Sequence, residues 1–122
     1  MQTTDILLLQ SDSRIADVLM RSLAEQSQRV RVAKSIEDLL QAAAKHQPRA
    51  IVLDLETVSL ADLKALKQQF QSIRVICNHR IADEEMWTET LGAGADDFCP
   101  SADTRAIVNS ISSAASARAV AE

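Results

Sequence analysis

The stretch RAIVLDLETVS, residues 49–59, decides the fold. Ala50 to Leu53 is an unbroken apolar run that stops at an acid, Asp54, and helical spacing begins after Ser59. A strand with one wet face alternates apolar and polar residues. An unbroken run marks a strand buried on both faces, the ordinary state of a parallel sheet covered by helices on each side. An acid at the end of such a strand stands where side chains first meet solvent, so Asp54 is a candidate site residue.

The same pattern repeats outward from this strand. ILLL (6–9) precedes Ile15, Val18, Leu19 and Leu23 on one helical face, and VRVA (30–33) precedes Ile36, Leu39, Leu40 and Ala43. AIVLDL (50–55) precedes Leu60, Leu63, Leu66 and Phe70; RVICN (74–78) precedes a shorter helix near 83–92; DDFCP (96–100) precedes Ile107, Ile111, Ala114 and Ala115. Five strand–helix units predict a parallel sheet. Ser35 with Asp38, and Ser59 with Asp62, have capping-box spacing, and Asp103 can cap the last helix. Arg29 and Arg31 alternate with Val30 and Val32, as on an edge strand, while the first and third strands read as central. The expected architecture is a single flavodoxin-like α/β domain over residues 1–116, a five-stranded parallel sheet of order 2-1-3-4-5 with helices on both faces. The Ala/Ser-rich SISSAASARAVAE reads as a fraying helix end or, over 117–122, the start of a linker.

Composition narrows the function. With 122 residues, 47% of them hydrophobic, the chain can bury one core without disulfides. A formal charge of −4 and a pI near 5.1 give no electrostatic footprint for nucleic acid. The opening MQTTDILLLQ lacks a basic segment, and its apolar run, Ile6–Leu9, is too short for a signal peptide or membrane span, so a cytoplasmic location is expected. Cys77 and Cys99 lie in strand-like runs and read as reduced packing residues; with His79 they lack a fourth ligand and any CxxC spacing for zinc or redox work. The two glycines, Gly92 and Gly94, lie far from the first strand–helix turn, which argues against a phosphate cradle for nucleotide or flavin.

In this winding, ligands gather at the carboxyl ends of the strands, near the switch point between the first and third. Asp54 lies there, with Gln10, Ser11 and Asp12 after the first strand, His79 and Arg80 after the fourth, and Ser101 after the fifth.

Together, the five units, IVLDLE (51–56) and LGAGADDF (91–98) make residues 5–116 resemble the receiver domain of bacterial response regulators, the CheY-like family. The resemblance implies that Asp54 takes the phosphoacceptor position, receiving a phosphoryl group from a partner histidine kinase, and that the Glu56 backbone carbonyl offers a ligand to Mg²⁺. Where the family has an acidic pair on the first loop, this chain has Gln10 and Ser11, with Asp12 one position late. Where the family has a Thr or Ser that contacts the phosphoryl group, it has His79, and for the Lys-Pro pair it has Ser101-Ala102. Mg²⁺ prefers charged oxygen ligands, so a site of Asp12, Asp54 and the Glu56 carbonyl is expected to bind it weakly or not at all. The expected function is that of a degenerate pseudo-receiver, not an enzyme beyond self-phosphorylation on Asp54, acting on a kinase or downstream effector through protein contacts, with no nucleic acid or membrane. A looser likeness joins it to the receivers of ANTAR-type antiterminators.

Two alternatives stand beside this. A working phosphoacceptor would use Asp12 and Asp54 for the metal, with Arg80 or His79 in place of Lys. A small hydrolase or redox protein would use Asp54, His79 and Cys99, but lacks a glycine turn for an oxyanion and a nucleophile elbow. On the fourth helix, Met86, Thr90 and Ala93 form the stripe expected to face the sheet, which turns Trp87 and Leu91 outward. The fourth helix to fifth helix face is where receivers bind partners or pair, so Trp87, Leu91 and Phe98 are candidate interface residues. Phe98 is expected to be buried and static, and the acids of ADEEMWTE (82–89) to form a solvated, dipole-stabilised first turn.

Overall fold

Two-sided burial organises the computed structural model, which describes residues 4–121, with side chains over 4–112. The elements run β1 (Ile6–Leu9), α1 (Ser13–Glu25), β2 (Val30–Val32), α2 (Ile36–His46), β3 (Ala50–Asp54), α3 (Leu60–Gln69), β4 (Arg74–His79), α4 (Glu84–Gly92), β5 (Asp97–Pro100) and α5 (Thr104–Ala121). The sheet is parallel throughout, in the order β2-β1-β3-β4-β5 expected from the sequence. Residues 117–121 continue α5; their side chains, those of Ala114 and Ala115, and all of Glu122 lie outside the described residues. No helix among the described residues is long and apolar enough to cross a membrane.

Successive side chains of a strand point to opposite faces, so each unbroken apolar run supplies two cores. Leu7, Leu9, Ile51, Leu53, Val75, Cys77 and Phe98 meet Leu39, Leu63 and Leu66 on one side. Ile6, Leu8, Val52, Ile76 and Cys99 meet Leu19, Leu23, Ile107 and Ile111 on the other. Each large aliphatic side chain buried this way contributes about 1.5–3 kcal/mol. β2 lies at the edge, as its arginines suggested, although Val32 is itself exposed.

Caps fix where the helices begin. Ser59 and Asp62 form the reciprocal box expected of them. At α2 only half of it forms: Ser35 accepts from the Asp38 N–H, but the Asp38 carboxylate turns back to the Lys34 N–H, one residue early. Asp103 accepts from the Ala106 N–H at the start of α5. Asp83 caps α4 at the head of the acidic, solvated turn expected there, and Asp12, a candidate metal ligand, caps α1. β5 is placed by Asp96, which accepts from the Val75 N–H at 2.8 Å and from Lys67 Nζ at 2.9 Å. Gly94, at φ +115, makes the turn before it, and a Cβ there would lie 3.2 Å from the Lys67 side chain.

On α4, Thr90 is fully buried, with Met86 and Ala93 packed against the same core. Its hydroxyl has no partner among the described residues. Replacing a buried, unpaired hydroxyl by a methyl group of similar shape removes a desolvation cost, so Thr90→Val is expected to raise stability by about 1 kcal/mol in urea unfolding. A loss of stability would show that the hydroxyl finds a partner.

Candidate functional site

β3 carries Asp54 to the carboxyl edge of the sheet, where it is only 2% exposed. Oδ2 accepts from the Ser11 N–H at 2.8 Å and from the Ser11 hydroxyl; Oδ1 accepts from the Glu56 N–H at 2.9 Å. A buried carboxylate needs its lone pairs filled, and three donors converge on this one. The Ser11 side chain thus adds a donor to the backbone N–H, where a carboxylate would bring only acceptors.

A second set of bonds runs beside the first. Asn78, fully buried and opposite Asp54 in the β3–β4 register, exchanges amide hydrogen bonds with Gln10: Gln10 Nε2 donates to Asn78 Oδ1 at 2.9 Å, and Asn78 Nδ2 donates to Gln10 Oε1 at 3.0 Å. Asn78 Nδ2 also donates to Ser101 Oγ at 2.8 Å, and Ser101 is 2% exposed. Neutral groups therefore bridge β1, β4 and the end of β5. The sequence reading missed Asn78. Its signal was a polar residue closing the apolar run VIC, which only the strand register turns into a site residue.

The remaining candidates are turned to other partners. Asp12 bonds the Arg14 N–H at 2.9 Å and the Arg14 guanidinium at 3.3 and 3.2 Å, and this guanidinium, then the N–H, hold its carboxyl below the usual range. None of its hydrogen bonds goes to Asp54 among the described residues. His79 Nδ1 accepts from the Ile81 N–H, so the proton of a neutral ring sits on Nε2. Arg80 pairs with the Glu56 side chain at 2.6 Å. The structure thus brings together Gln10, Ser11, Asp54 and Ser101, and leaves Asp12, His79 and Arg80 at the rim.

This donor set does not fit Mg²⁺. A hard dication needs several charged or carbonyl oxygens in near-octahedral array. Here one carboxylate faces the site with both oxygens already hydrogen-bonded, the next acid caps a helix and pairs with Arg14, and Gln10 is committed to Asn78. Among the described residues no group of three or more His, Cys, Asp or Glu is placed to hold a metal.

The cysteines lie apart from this chemistry. Burial pushes the Cys77 thiol up to about 12 and the Cys99 thiol up to about 11. They pack in the two separate cores, and among the described residues no hydrogen bond joins Cys99 to Asp54 or His79.

Solved structures match this fold. HP1043, an orphan response regulator of H. pylori, superposes with a TM-score of 0.80 at 18% identity, over 91% of this chain and 95% of that one. The Francisella response regulator 1452 receiver domain gives 0.80 at 20% identity, over 89% and 93%. A response regulator from Burkholderia pseudomallei, crystallised with a phosphorylated aspartic acid, calcium ion and citrate, gives 0.77 at 20% identity, over 95% and 71%. The chain has the CheY-like receiver fold. No protein-family model and no curated protein matches the sequence.

Two measurements follow. Asn78→Leu leaves Gln10 and Ser101 without their shared partner and is expected to cost about 1–3 kcal/mol; in a cycle with Gln10→Leu the two losses should not add. Because the folded chain holds both thiols above their ordinary 9.0, their contribution to stability is full below pH 9 and declines as pH rises toward about 11–12. Native protein at pH 8 should react slowly with a thiol reagent, and unfolded protein at both cysteines. Rapid native labelling would place a thiol at the surface.

Proposed function

We propose that this chain is an atypical receiver domain of a bacterial two-component or phosphorelay pathway, acting in the cytoplasm by protein contact and not as an enzyme. Asp54 is a hydrogen-bonded anchor in this reading, with weak or absent phosphorylation. One observation carries it: both Asp54 oxygens already accept hydrogen bonds within the chain, Oδ2 from the Ser11 N–H and hydroxyl and Oδ1 from the Glu56 N–H. Phosphoryl transfer to a carboxylate relies on cations that neutralise the equatorial oxygens. The position of the family's Lys is held here by Ser101, whose hydroxyl accepts from Asn78. The partner is a kinase or effector protein, met through Trp87, Leu91 and the groove beside Phe98, and the receiver unit spans residues 1–116.

A phospho-accepting regulator is the second reading, favoured by the phosphorylated aspartic acid and calcium ion of the Burkholderia structure. It requires Ser11 to release Asp54 and Asp12 to leave the α1 cap.

Incubation with acetyl phosphate and Mg²⁺ separates the two. The chain is expected to gain no phosphoryl group by intact mass, and the triple variant Gln10→Glu, Ser11→Asp, Ser101→Lys to gain one. Stoichiometric phosphorylation of the unaltered chain, abolished by Asp54→Asn, would overturn the proposal in favour of the second reading.

A further inference from the structure

The partner's chemistry is written on the opposite edge of the molecule from β2. From Ile81 to Thr104 the chain carries seven acids and no Lys, Arg or His, whereas the whole chain has 17 acids and 13 Lys and Arg. The remainder is therefore net positive, and the negative charge is concentrated on α4, β5 and their loops. Asp96 is paired with Lys67 and Asp103 caps α5, but Glu84, Glu85 and Glu89 have no ion-pair partner among the described residues.

Within this field lies an apolar surface. Trp87 is 50% exposed and Ile81 58%, with Leu91 one turn beyond Trp87. A groove of about 390 Å³ opens between the start of α4 and β5, with Ala82, Trp87, Phe98 and Pro100 as its apolar walls and Asp83 and Glu84 at its mouth. That is space for an anchoring side chain, not for a large ligand. Strand addition is blocked beside it: the Phe98 N–H is taken by the Asp97 carboxylate and Pro100 has no N–H.

We infer that the α4–β5 groove receives a cationic amphipathic segment of a partner protein, its apolar residue set against Trp87 and Phe98 and its Lys or Arg side chains beside Glu84 and the neighbouring acids. The inference names the chemistry of the contact proposed above and rests on that contact role. The sign of the charge makes the choice. A nucleic acid or an anionic membrane is repelled. A second copy meeting this face two-fold would set α4's acids against themselves, because a two-fold contact presents the same patch from both sides. A basic segment gains apolar burial and screened attraction together.

The test uses the full chain and a short synthetic amphipathic helix with Leu on one face and Lys on the other, alongside its counterpart with Glu for Lys. The chain has one Trp, so its emission reports directly on Trp87. The Lys helix is expected to shift that emission to the blue and saturate, and the Glu helix to leave it unchanged. Affinity should fall about tenfold or more between ionic strengths of about 0.01 and 1 M, where the Debye length contracts from about 30 to about 3 Å. With a dye-labelled Lys helix read by anisotropy, Trp87→Ala and the triple variant Glu84→Gln, Glu85→Gln, Glu89→Gln should each weaken binding about tenfold while circular dichroism shows the fold intact; Glu84→Gln alone, a single neutral change, guards against a misfolded triple.

No shift with the Lys helix, equal binding of both helices, or salt-independent affinity would overturn the inference. So would a concentration-dependent dimer that buries Trp87 and is lost in Trp87→Ala, which would make a second copy the occupant. None of these results depends on whether Asp54 accepts a phosphoryl group, so this inference and the reading of Asp54 fail separately.

Discussion

Two-sided burial of the central strands is the constraint on which the rest of the molecule depends. β1, β3 and β4 cannot leave any backbone polar group unpaired or place any side chain in water until they end, so they end together along one edge. Asp54, Gln10 and Asn78 are the first polar side chains beyond the cores, and the register sets them side by side. The site is thus a consequence of where burial stops. The helix caps act in the same direction, because Asp12 and Asp103 fix where the chain turns away from that edge.

What occupies the edge is a neutral hydrogen-bonded network around one carboxylate, and neutrality changes what it can do. A conformational switch needs a ligand or modification that interacts differently with two states. Charges of opposite sign in a dry site provide large differences of that kind, whereas amides and hydroxyls that already satisfy one another provide small ones. Ser11 fills Asp54, Gln10 and Asn78 fill each other, and Ser101 accepts the remaining amide proton. A network whose members already bond one another holds its arrangement more firmly than one with open partners.

The sequence was most legible where one physical rule acted alone. Unbroken apolar runs gave the strands, their alternation with helical spacing gave the parallel order, and the Met86–Thr90–Ala93 stripe gave the inward face of α4. The sequence was less legible where one residue had two competing uses. Asp12 can ligate a metal or cap a helix, and Arg14, two residues on, draws it to the cap. Asp38 can complete a box with Ser35 or satisfy Lys34, and local geometry chose Lys34. Asn78 looked like the tail of a strand; only the partner strand, with Asp54 directly opposite, gives it a role.

Separating the Asp54 site from the α4 face leaves each to be read by its own physics. In a switching receiver the two would be joined through the side chain after β4 and an aromatic on β5. Here His79 is turned to the Ile81 N–H, and Phe98, 9% exposed, packs into the core below the groove. The Ile81 N–H to His79 Nδ1 bond ties the start of the β4–α4 loop to the strand end. A surface held in one arrangement enters binding already ordered, and an ordered surface binds more tightly for the same contacts because less conformational entropy is lost. What α4 displays is one exposed aromatic and a row of acids, Glu84, Glu85 and Glu89, without an ion-pair partner among the described residues.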